Sequence, residues 1–381
     1  MPPCERRSRA PLAASGTALV LSLTACTGAS TVDDGVEGAS AAGSGSLSAG
    51  YVGSIDQLGL PIAAETGTFE DHGLDVTLAA PFPTGVDAIN ALEAGDVDVI
   101  QVGVPGLAAL DSGVDLVIVG HYSGSAAQRN VDDTMSLVAV EDADIDPEDL
   151  TTLEGRTIAT SLGTINHLYL LALLEEEGVD PEDVDLVNTA PPDMPVALET
   201  GGADAAVAWD PWPLTVTDQV EGAWEVVRGG GYLPYVGYVM TTPEYLAGNG
   251  ETVRAFLTAR AESDQWIRHH PEDAADSATR WLTGTDPDIA RAAMEHNLAQ
   301  LDGRFSACNY LALDTVSRLL SEQGVTGADI DVDSVVDPSF VLAVQEDHPE
   351  LFDDLPEVPD SARITPDHTF DRAADEEACA V

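Results

Sequence analysis

The sequence predicts an α/β protein made of two similar lobes. Short β-type runs alternate with helical patterns, which is typical of α/β layers with largely parallel sheets. A helix–glycine–strand unit also occurs twice, as ALEAGDVD at residues 91–98 and as ALETGGAD at residues 197–204. A spacing of this length is not a solenoid period, so one unit used twice indicates two related lobes. Chance similarity between two such units is the alternative.

Local patterns predict the individual strands and helices. The runs that favour strands cover residues 97–102, 116–120, 157–160, 185–189 and 203–208. The patterns that favour helices cover residues 86–94, 165–177 and 195–200. Thr84 and Asp87 have the spacing of a capping box at the start of the first of these helices. Gly178 suits the end of the second, because glycine tolerates the left-handed conformation found there.

Charge and composition exclude several classes of protein. The 381 residues include 67 acidic and 15 basic residues, for a formal net charge of −52, and every basic residue is arginine. Without lysine the chain has neither a Walker-type nucleotide site nor a Schiff-base lysine, and its charge opposes binding to nucleic acid. Because 44% of the residues are apolar and the mean hydropathy is +0.01, the composition indicates folded domains rather than a disordered acidic chain.

The first 25 residues have the pattern of a bacterial lipoprotein signal peptide. Three arginines at positions 6, 7 and 9 precede an uncharged stretch, residues 11–25, that is too short to span a bilayer. The stretch leads into Leu-Thr-Ala-Cys, which resembles a lipobox, so we expect cleavage before Cys26 and lipidation of that cysteine. Residues 26–47 are expected to form a flexible tether. The protein would be exported and attached by lipid alone to the outer face of the cytoplasmic membrane; an ordinary secreted protein is the alternative.

Two further cysteines, Cys308 and Cys379, remain in the exported chain. In an oxidising compartment we expect them to form a disulfide that holds an acidic C-terminal extension, residues 346–381, onto the folded body. Two unpaired thiols are the alternative.

A candidate anion site lies at the start of the helix predicted from residue 165. Gly163 permits a tight turn, Thr164 can cap the helix, and Asn166 and His167 lie in its first turn. Backbone N–H groups at such a helix start can hold an anion without a basic side chain. An ordinary capped turn, with the histidine packed against the sheet, is the alternative.

Other candidate ligand-binding residues follow predicted strands or begin the first predicted helix. Ligands of open α/β sheets bind beyond the carboxyl ends of strands, and aromatic side chains suit small-molecule pockets. We therefore predict ligand contacts from these segments, with core packing or turn formation as the alternatives. The residues are Ser54, Asp56, Gln57, Thr84, Gly103, Trp209, Asp210 and Trp212.

The sequence contains no recognised catalytic constellation. It has no Gly-x-Ser-x-Gly elbow, no His-Glu-x-x-His motif and no cysteine pair with zinc spacing. We therefore expect a protein that is not an enzyme and that uses neither a metal nor another cofactor.

Several motifs resemble those of a known family. They are Gly-x-Phe-Glu-x-x-Gly-Leu-x-Val at 67–76, Ala-Leu-x-x-Gly-x-x-Asp at 91–98, Leu-x-Gly-x-x-Ile-Ala at 153–159, Gly-Thr-x-x-His at 163–167 and Trp-Asp-Pro at 209–211. Together, over roughly residues 48–300, the chain resembles the ABC-importer binding proteins for nitrate, sulfonate and taurine.

The resemblance implies a two-lobed type II periplasmic-binding-protein fold with a hinged cleft. Residues 48–138 and 235–345 would form one lobe, and residues 139–234 the other. A monomeric protein of this kind would capture a small solute between its lobes and deliver it to a membrane permease driven by a separate ATPase. A lipid-anchored sensor and a secreted enzyme on the same fold are the alternatives.

Two acidic residues leave the charge of the ligand open. The resemblance implies an anionic head group at helix starts, but the predicted cleft segments contain Asp56 and Asp210 and no arginine or lysine. Carboxylates repel a simple anion. A zwitterion such as taurine, a cation or a heterocycle is therefore considered beside a sulfonate or nitrate.

Overall fold

The computed structural model describes residues 45–282 and 284–379, which form two five-stranded sheets flanked by helices. The strands are β1 (Gly45–Gly50), β2 (Leu74–Leu78), β3 (Val99–Val102), β4 (Val117–Ser123), β5 (Met135–Val140), β6 (Thr157–Thr160), β7 (Asp185–Asn188), β8 (Ala205–Trp209), β9 (Ala223–Arg228) and β10 (Gly237–Thr241). The helices are α1 (Gly59–Thr66), α2 (Thr68–Asp71), α3 (Gly85–Ala94), α4 (Val104–Asp111), α5 (Ile165–Glu176), α6 (Met194–Glu199), α7 (Trp212–Gln219), α8 (Pro243–His269), α9 (Pro271–Trp281), α10 (Pro287–Asn297), α11 (Ala307–Glu322), α12 (Val332–Val335), α13 (Ser339–Asp347) and α14 (Arg372–Ala378). Within this part of the chain, no helix has the length and apolar character needed to cross a membrane. The predicted signal peptide, Cys26 and residues 26–44 of the predicted tether lie outside the described residues.

Each sheet contains one strand that runs against the other four. The first sheet has the order β2-β1-β3-β10-β4 and the second β7-β6-β8-β5-β9. β10 pairs antiparallel with β3 and β4, and β5 with β8 and β9, whereas the other pairs are parallel. The α/β class is confirmed, but the expectation of largely parallel sheets is wrong for half of the strand pairings. The reversed strands are β5 and β10. Each is the first strand along the chain after a crossing from the other sheet, so no βαβ crossover sets its direction.

The predicted elements are confirmed to within three residues at each end. The repeated sequence unit is also a repeated structural unit: α3 leads through Gly95 into β3, and α6 leads through Gly201 into β8, both glycines having left-handed backbone angles (φ of 75° and 70°). Asp98 accepts a hydrogen bond from a backbone N–H of β1 at 2.7 Å, and its counterpart Asp204 accepts one from a backbone N–H of β6 at 2.8 Å. Each aspartate thus ties its unit to the neighbouring strand.

The chain crosses between the two sheets twice, at residues 124–134 and 229–236. The boundary predicted between residues 138 and 139 is wrong, because it cuts β5, which pairs along its length in the second sheet. The tether predicted to extend to residue 47 is also too long, because β1 begins at Gly45 and pairs there with β2. We use lobe 1 for residues 45–123 and 237–379, and lobe 2 for residues 135–228.

The C-terminal extension is part of the folded body. Val358 and Ala362 are buried in one apolar cluster with Leu311 of α11. Cys308, near the start of α11, is joined by a disulfide to Cys379, and the two Cα atoms lie 5.5 Å apart. The extension therefore packs along α11, and α14 lies beside that helix.

Candidate ligand-binding site

A small cavity lies between the two lobes, beyond the carboxyl ends of strands from both sheets. Its volume is about 30 Å³, which is room for one or two water molecules. Five of the predicted ligand-binding residues line it, and they come from both lobes. They are Ser54, Gln57, Gly103, Thr164 and Trp209.

Three helices begin at the wall of this cavity. The lining residues include the first residue of α3 (Gly85), the N-cap and first residue of α4 (Gly103 and Val104), and the N-cap and first residue of α5 (Thr164 and Ile165). The unpaired N–H groups and the positive dipole ends of these helices therefore lie close together. An anion bound at this point needs no basic side chain.

Side chains in the local sequence set where two of these helices begin. Thr84 and Asp87 form the capping box of α3, in which the Thr84 N–H donates to Asp87 Oδ2 at 3.2 Å. At α5 the Thr164 hydroxyl accepts from the Asn166 N–H at 3.2 Å and donates to the Ser161 carbonyl at 2.7 Å. Thr84, predicted to contact ligand, thus supports the cavity through its helix and does not line it.

Besides the Thr160 hydroxyl at the end of β6, two donors at this end of lobe 2 are buried without a hydrogen-bond partner among residues 45–282 and 284–379. They are the indole N–H of Trp209, on the cavity wall, and the side-chain amide of Asn166, in the first turn of α5. Leaving a buried polar group without a hydrogen bond costs about 1–3 kcal/mol. A ligand that accepts hydrogen bonds would recover this cost.

A chain of hydrogen bonds holds the lobe 1 wall. Gln57 Oε1 accepts from the Val52 N–H at 2.8 Å, and Gln57 Nε2 donates to the Tyr122 hydroxyl at 2.8 Å. Tyr122 and Tyr235 both line the cavity, although neither is among the predicted site residues. Tyr122 lies near the carboxyl end of β4, so the strand-end rule applied to that strand would have found it. Tyr235 lies in the second segment that connects the lobes.

Asp56 lies behind this wall and does not line the cavity. The residue is 2% exposed, and its Oδ1 accepts from the Ser54 hydroxyl. Burial raises the pKa of Asp56 to about 6, against the opposing influence of the Ser123 and Tyr235 hydroxyls and the Arg260 guanidinium. Arg260 also donates from Nη2 to the Asp56 carbonyl oxygen at 3.0 Å, which holds the segment in place.

Asp210 is also buried, and it connects the lobes. Its Oδ2 accepts from Arg228 Nη1 at 2.9 Å and lies 2.9 Å from Nδ1 of His296 in α10 of lobe 1. Burial raises the pKa of Asp210, although both partners favour its ionised form. Trp212, predicted to contact ligand, does not line the cavity, because its indole N–H donates across the lobes to the Gly53 carbonyl at 3.1 Å.

Arginines from outside the predicted cleft segments accompany both aspartates. Arg228 comes from β9 and Arg260 from α8, and neither lies in a loop that the sequence patterns single out. Because each aspartate has an arginine beside it and neither lines the cavity, the argument that two carboxylates disfavour a simple anion loses its basis.

Gly163 and His167 lie next to the cavity wall without forming part of it. Gly163 has a φ of +75°, a conformation that a side chain would strain, so it shapes the turn before α5. His167 is half-buried, and burial lowers its pKa, which favours the neutral imidazole. These two residues fit the alternative of an ordinary capped turn.

The raised pKa of Asp56 predicts a pH-dependent stability. With a folded pKa of about 6 and an unfolded value of about 3.9, Asp56 binds more protons in the folded state between these values. The free energy of unfolding therefore falls as pH rises through this window. In the wild type, Asp56 should contribute a decrease of about 2 kcal/mol in the free energy of unfolding between about pH 4.5 and about pH 7.5. We expect this contribution to be absent from Asp56→Asn, as measured by urea denaturation at the two pH values. Asp75→Asn is the control, because it makes the same change of charge at an exposed position. If the free energy of unfolding decreases by the same amount over this pH range in both variants, the buried Asp56 does not have the raised pKa.

The sequence matches known proteins of one family. The model of the family described as NMT1/THI5 like matches residues 54–274, more than half of the chain. The taurine-binding periplasmic protein of Escherichia coli (strain K12) is 26% identical over 203 residues, which cover 50% of this chain and 57% of that protein. Across the curated relatives that it matches, the chain spans between 57% and 66% of their length.

Solved structures share the fold. The alkanesulfonate-binding protein SsuA from Xanthomonas axonopodis pv. citri, bound to MOPS, has a TM-score of 0.68 at 21% identity, over 78% of this chain and 99% of that one. The periplasmic nitrate-binding protein NrtA from Synechocystis PCC 6803 has a TM-score of 0.67 at 15% identity, over 82% and 92%. The predicted family resemblance and the two-lobed architecture are thereby confirmed. The chain belongs to the NMT1/THI5-like family and has the two-lobed fold of the periplasmic binding proteins.

Proposed function

We propose that this chain is the extracytoplasmic solute-binding component of an ABC importer and that it captures a small sulfonate, such as taurine, between its lobes. The observation that carries the proposal is the meeting of three helix N-termini at one inter-lobe cavity. A sulfonate has three oxygens, so it can accept hydrogen bonds from more than one helix start. The proteins that this chain resembles are named for taurine, alkanesulfonate and nitrate binding, which supports an anionic head group.

The size of the cavity requires the lobes to move as ligand enters. Small-molecule pockets have volumes of about 300–1,000 Å³, whereas this cavity measures about 30 Å³. The contacts that join the lobes include Asp210 with His296 and Trp212 with Gly53. Opening at the two connecting segments would break these polar contacts and admit the solute, and closure would restore them around it.

We also propose that the protein acts outside the cytoplasm as a monomer, lipidated at Cys26, and that it delivers its ligand to a permease driven by a separate ATPase. The signal-peptide pattern of residues 1–25 and the periplasmic location in the names of the relatives support export. The same names describe binding proteins, which favours capture of a solute over its chemical conversion.

A thermal-shift screen tests the ligand class. We expect taurine and short alkanesulfonates to raise the Tm, because a ligand present at 100 times its Kd stabilises the native state by about 2.7 kcal/mol. Trp209→Phe removes the indole N–H and keeps an aromatic ring. We expect this variant to weaken sulfonate binding about tenfold or more, the loss of one hydrogen bond to a charged group.

The matched control is Trp224→Phe on β9, which makes the same change outside the cavity lining and is expected to bind as the wild type does. Polyamines and purines complete the panel. A shift with these compounds alone would rule out a sulfonate, and unchanged binding by Trp209→Phe would remove Trp209 from the site.

A further inference from the structure

A second cavity lies at the hinge, beside the two segments that connect the lobes. It measures about 490 Å³ and shares no lining residue with the cavity between the lobes. The connecting segments contribute Arg129, Asn130, Tyr232 and Pro234, and helices α11 and α14 of lobe 1 supply the rest of the wall. A volume in this range is typical of small-molecule sites.

Three arginines line this hinge cavity: Arg129, Arg318 and Arg372. Twelve of the fifteen arginines of the chain lie in the described residues, so a quarter of them meet at one place. Acidic residues outnumber basic ones by 67 to 15 in this chain. If surface charge served only to keep the protein soluble, three of its few arginines would not be expected to lie together.

Arg318 differs from the other arginines in the described part of the chain. Each of the others makes an ion pair or a side-chain hydrogen bond, whereas Arg318 makes neither, and its Nε is buried without a partner. Asp314, one helical turn earlier on α11, pairs instead with Arg372 of α14. A half-buried guanidinium without a counter-ion is costly, and an anion from solution would remove that cost.

Arg129 makes only a weak ion pair, so its side chain is able to bind a ligand instead. Its Nη2 lies 3.6 Å from Glu376 Oε1, and the two side chains are 45% and 50% exposed. Exposed pairs of this kind contribute about 0–1 kcal/mol. Two further carboxylates lie nearby: Asp314 pairs with Arg372, and Glu177 has its Oε1 at 3.5 Å from the Tyr232 hydroxyl. A ligand must therefore compete with Glu376 for Arg129, whereas Arg318 has no ion-pair partner in the described residues that a ligand would have to displace.

We propose that the hinge cavity binds a small organic anion with two or more carboxylate groups. Guanidinium groups bind carboxylates through paired hydrogen bonds, and Arg318 and Arg129 each offer such a position. Tyr232, Pro234 and Leu311 provide an apolar part of the wall, which suits the carbon skeleton of an organic acid better than inorganic phosphate. The proposal does not depend on the sulfonate ligand, because the two cavities have separate walls.

Isothermal titration calorimetry of the purified chain tests this proposal, with citrate as the probe and with inorganic phosphate and acetate as comparisons. We expect citrate to bind more tightly than either comparison anion. We expect Arg318→Gln to weaken citrate binding about tenfold or more, and Arg129→Gln to weaken it less. Arg156→Gln is the matched control, because it removes the same charge from lobe 2, outside the hinge cavity. Within the described part of the chain Arg156 also has no carboxylate partner and donates only to the Thr152 carbonyl.

Unchanged citrate binding by Arg318→Gln and Arg129→Gln, or an equal loss in Arg156→Gln, would overturn the site. If Arg318→Gln does not fold, as judged by its thermal melt, the exposed Arg129→Gln decides the question. If the wild type binds no citrate at citrate concentrations up to about 10 mM, the Kd is weaker than the millimolar range, and the proposal is overturned. Equal affinity for inorganic phosphate would overturn the assignment to an organic polycarboxylate.

Discussion

Replacing Arg260 with leucine is expected to lower the free energy of unfolding by about 3–5 kcal/mol, measured by urea denaturation at neutral pH. Arg260 and Asp264 are 2% and 1% exposed and pair at 2.8 Å. Arg260 also donates to the Asp56 carbonyl behind the ligand cavity, and its guanidinium lies 5.7 Å from the centre of the Tyr122 ring. The substitution leaves a buried carboxylate without its counter-ion and a carbonyl without its donor, which is why the loss is large.

Two further variants isolate the effect of burial. Arg254, on the same helix, is 41% exposed and pairs with Asp347, which is 48% exposed. Arg254→Leu is therefore expected to cost less than about 1 kcal/mol. The double variant Arg260→Leu/Asp264→Leu is expected to recover part of the loss, because it removes the carboxylate at position 264 that the single substitution leaves unpaired. Recovery stays partial because Asp56 still lacks the neighbouring guanidinium. Equal losses from Arg260→Leu and Arg254→Leu would show that the buried pair has no special role in stability.

Removing the disulfide is expected to lower the free energy of unfolding by about 4 kcal/mol. The bond joins two cysteines 71 residues apart in the sequence, and closing a loop of this length restricts the unfolded chain by about that amount in the chain-entropy treatment. The variant is Cys308→Ala/Cys379→Ala, and the measurement is urea denaturation with and without dithiothreitol. Reductant should destabilise the wild type by the same amount and leave the variant unaffected; a wild type indifferent to reductant would contradict the prediction.

The sequence predicts the elements of the fold because their signals are local. The capping box of Thr84 and Asp87, and the glycines that end α3 and the α6 turn, act within a few residues of chain. The repeated unit also predicts that there are two lobes. Asp98 accepts from a backbone N–H of β1 in one lobe, and Asp204 accepts from a backbone N–H of β6 in the other. The reversed strands were missed because the direction of β5 and β10 depends on where the chain re-enters each sheet, which no local pattern records.

The candidate site is predicted less completely, because its charges arrive through long-range contacts. Helix starts and strand ends identify Gly103, Thr164 and Trp209, which line the cavity. Arg260 lies 204 residues from the Asp56 carbonyl to which it donates. Arg228 lies 18 residues after Asp210, on β9 rather than in the loop that carries the aspartate. An estimate of ligand charge from loop residues alone therefore omits these partners.

The position of β10 also determines the order in which the lobes can be completed during biosynthesis. β10 lies between β3 and β4, so the first sheet stays in two pieces until the chain as far as Thr241 has entered the compartment in which it folds. The strands of the second sheet all lie between Met135 and Arg228, so that sheet can assemble earlier as one continuous segment. In the interval, β3 and β4 each present an unpaired edge that is prone to intermolecular pairing. Protection of the nascent N-terminal half is therefore a requirement that this topology places on the cell.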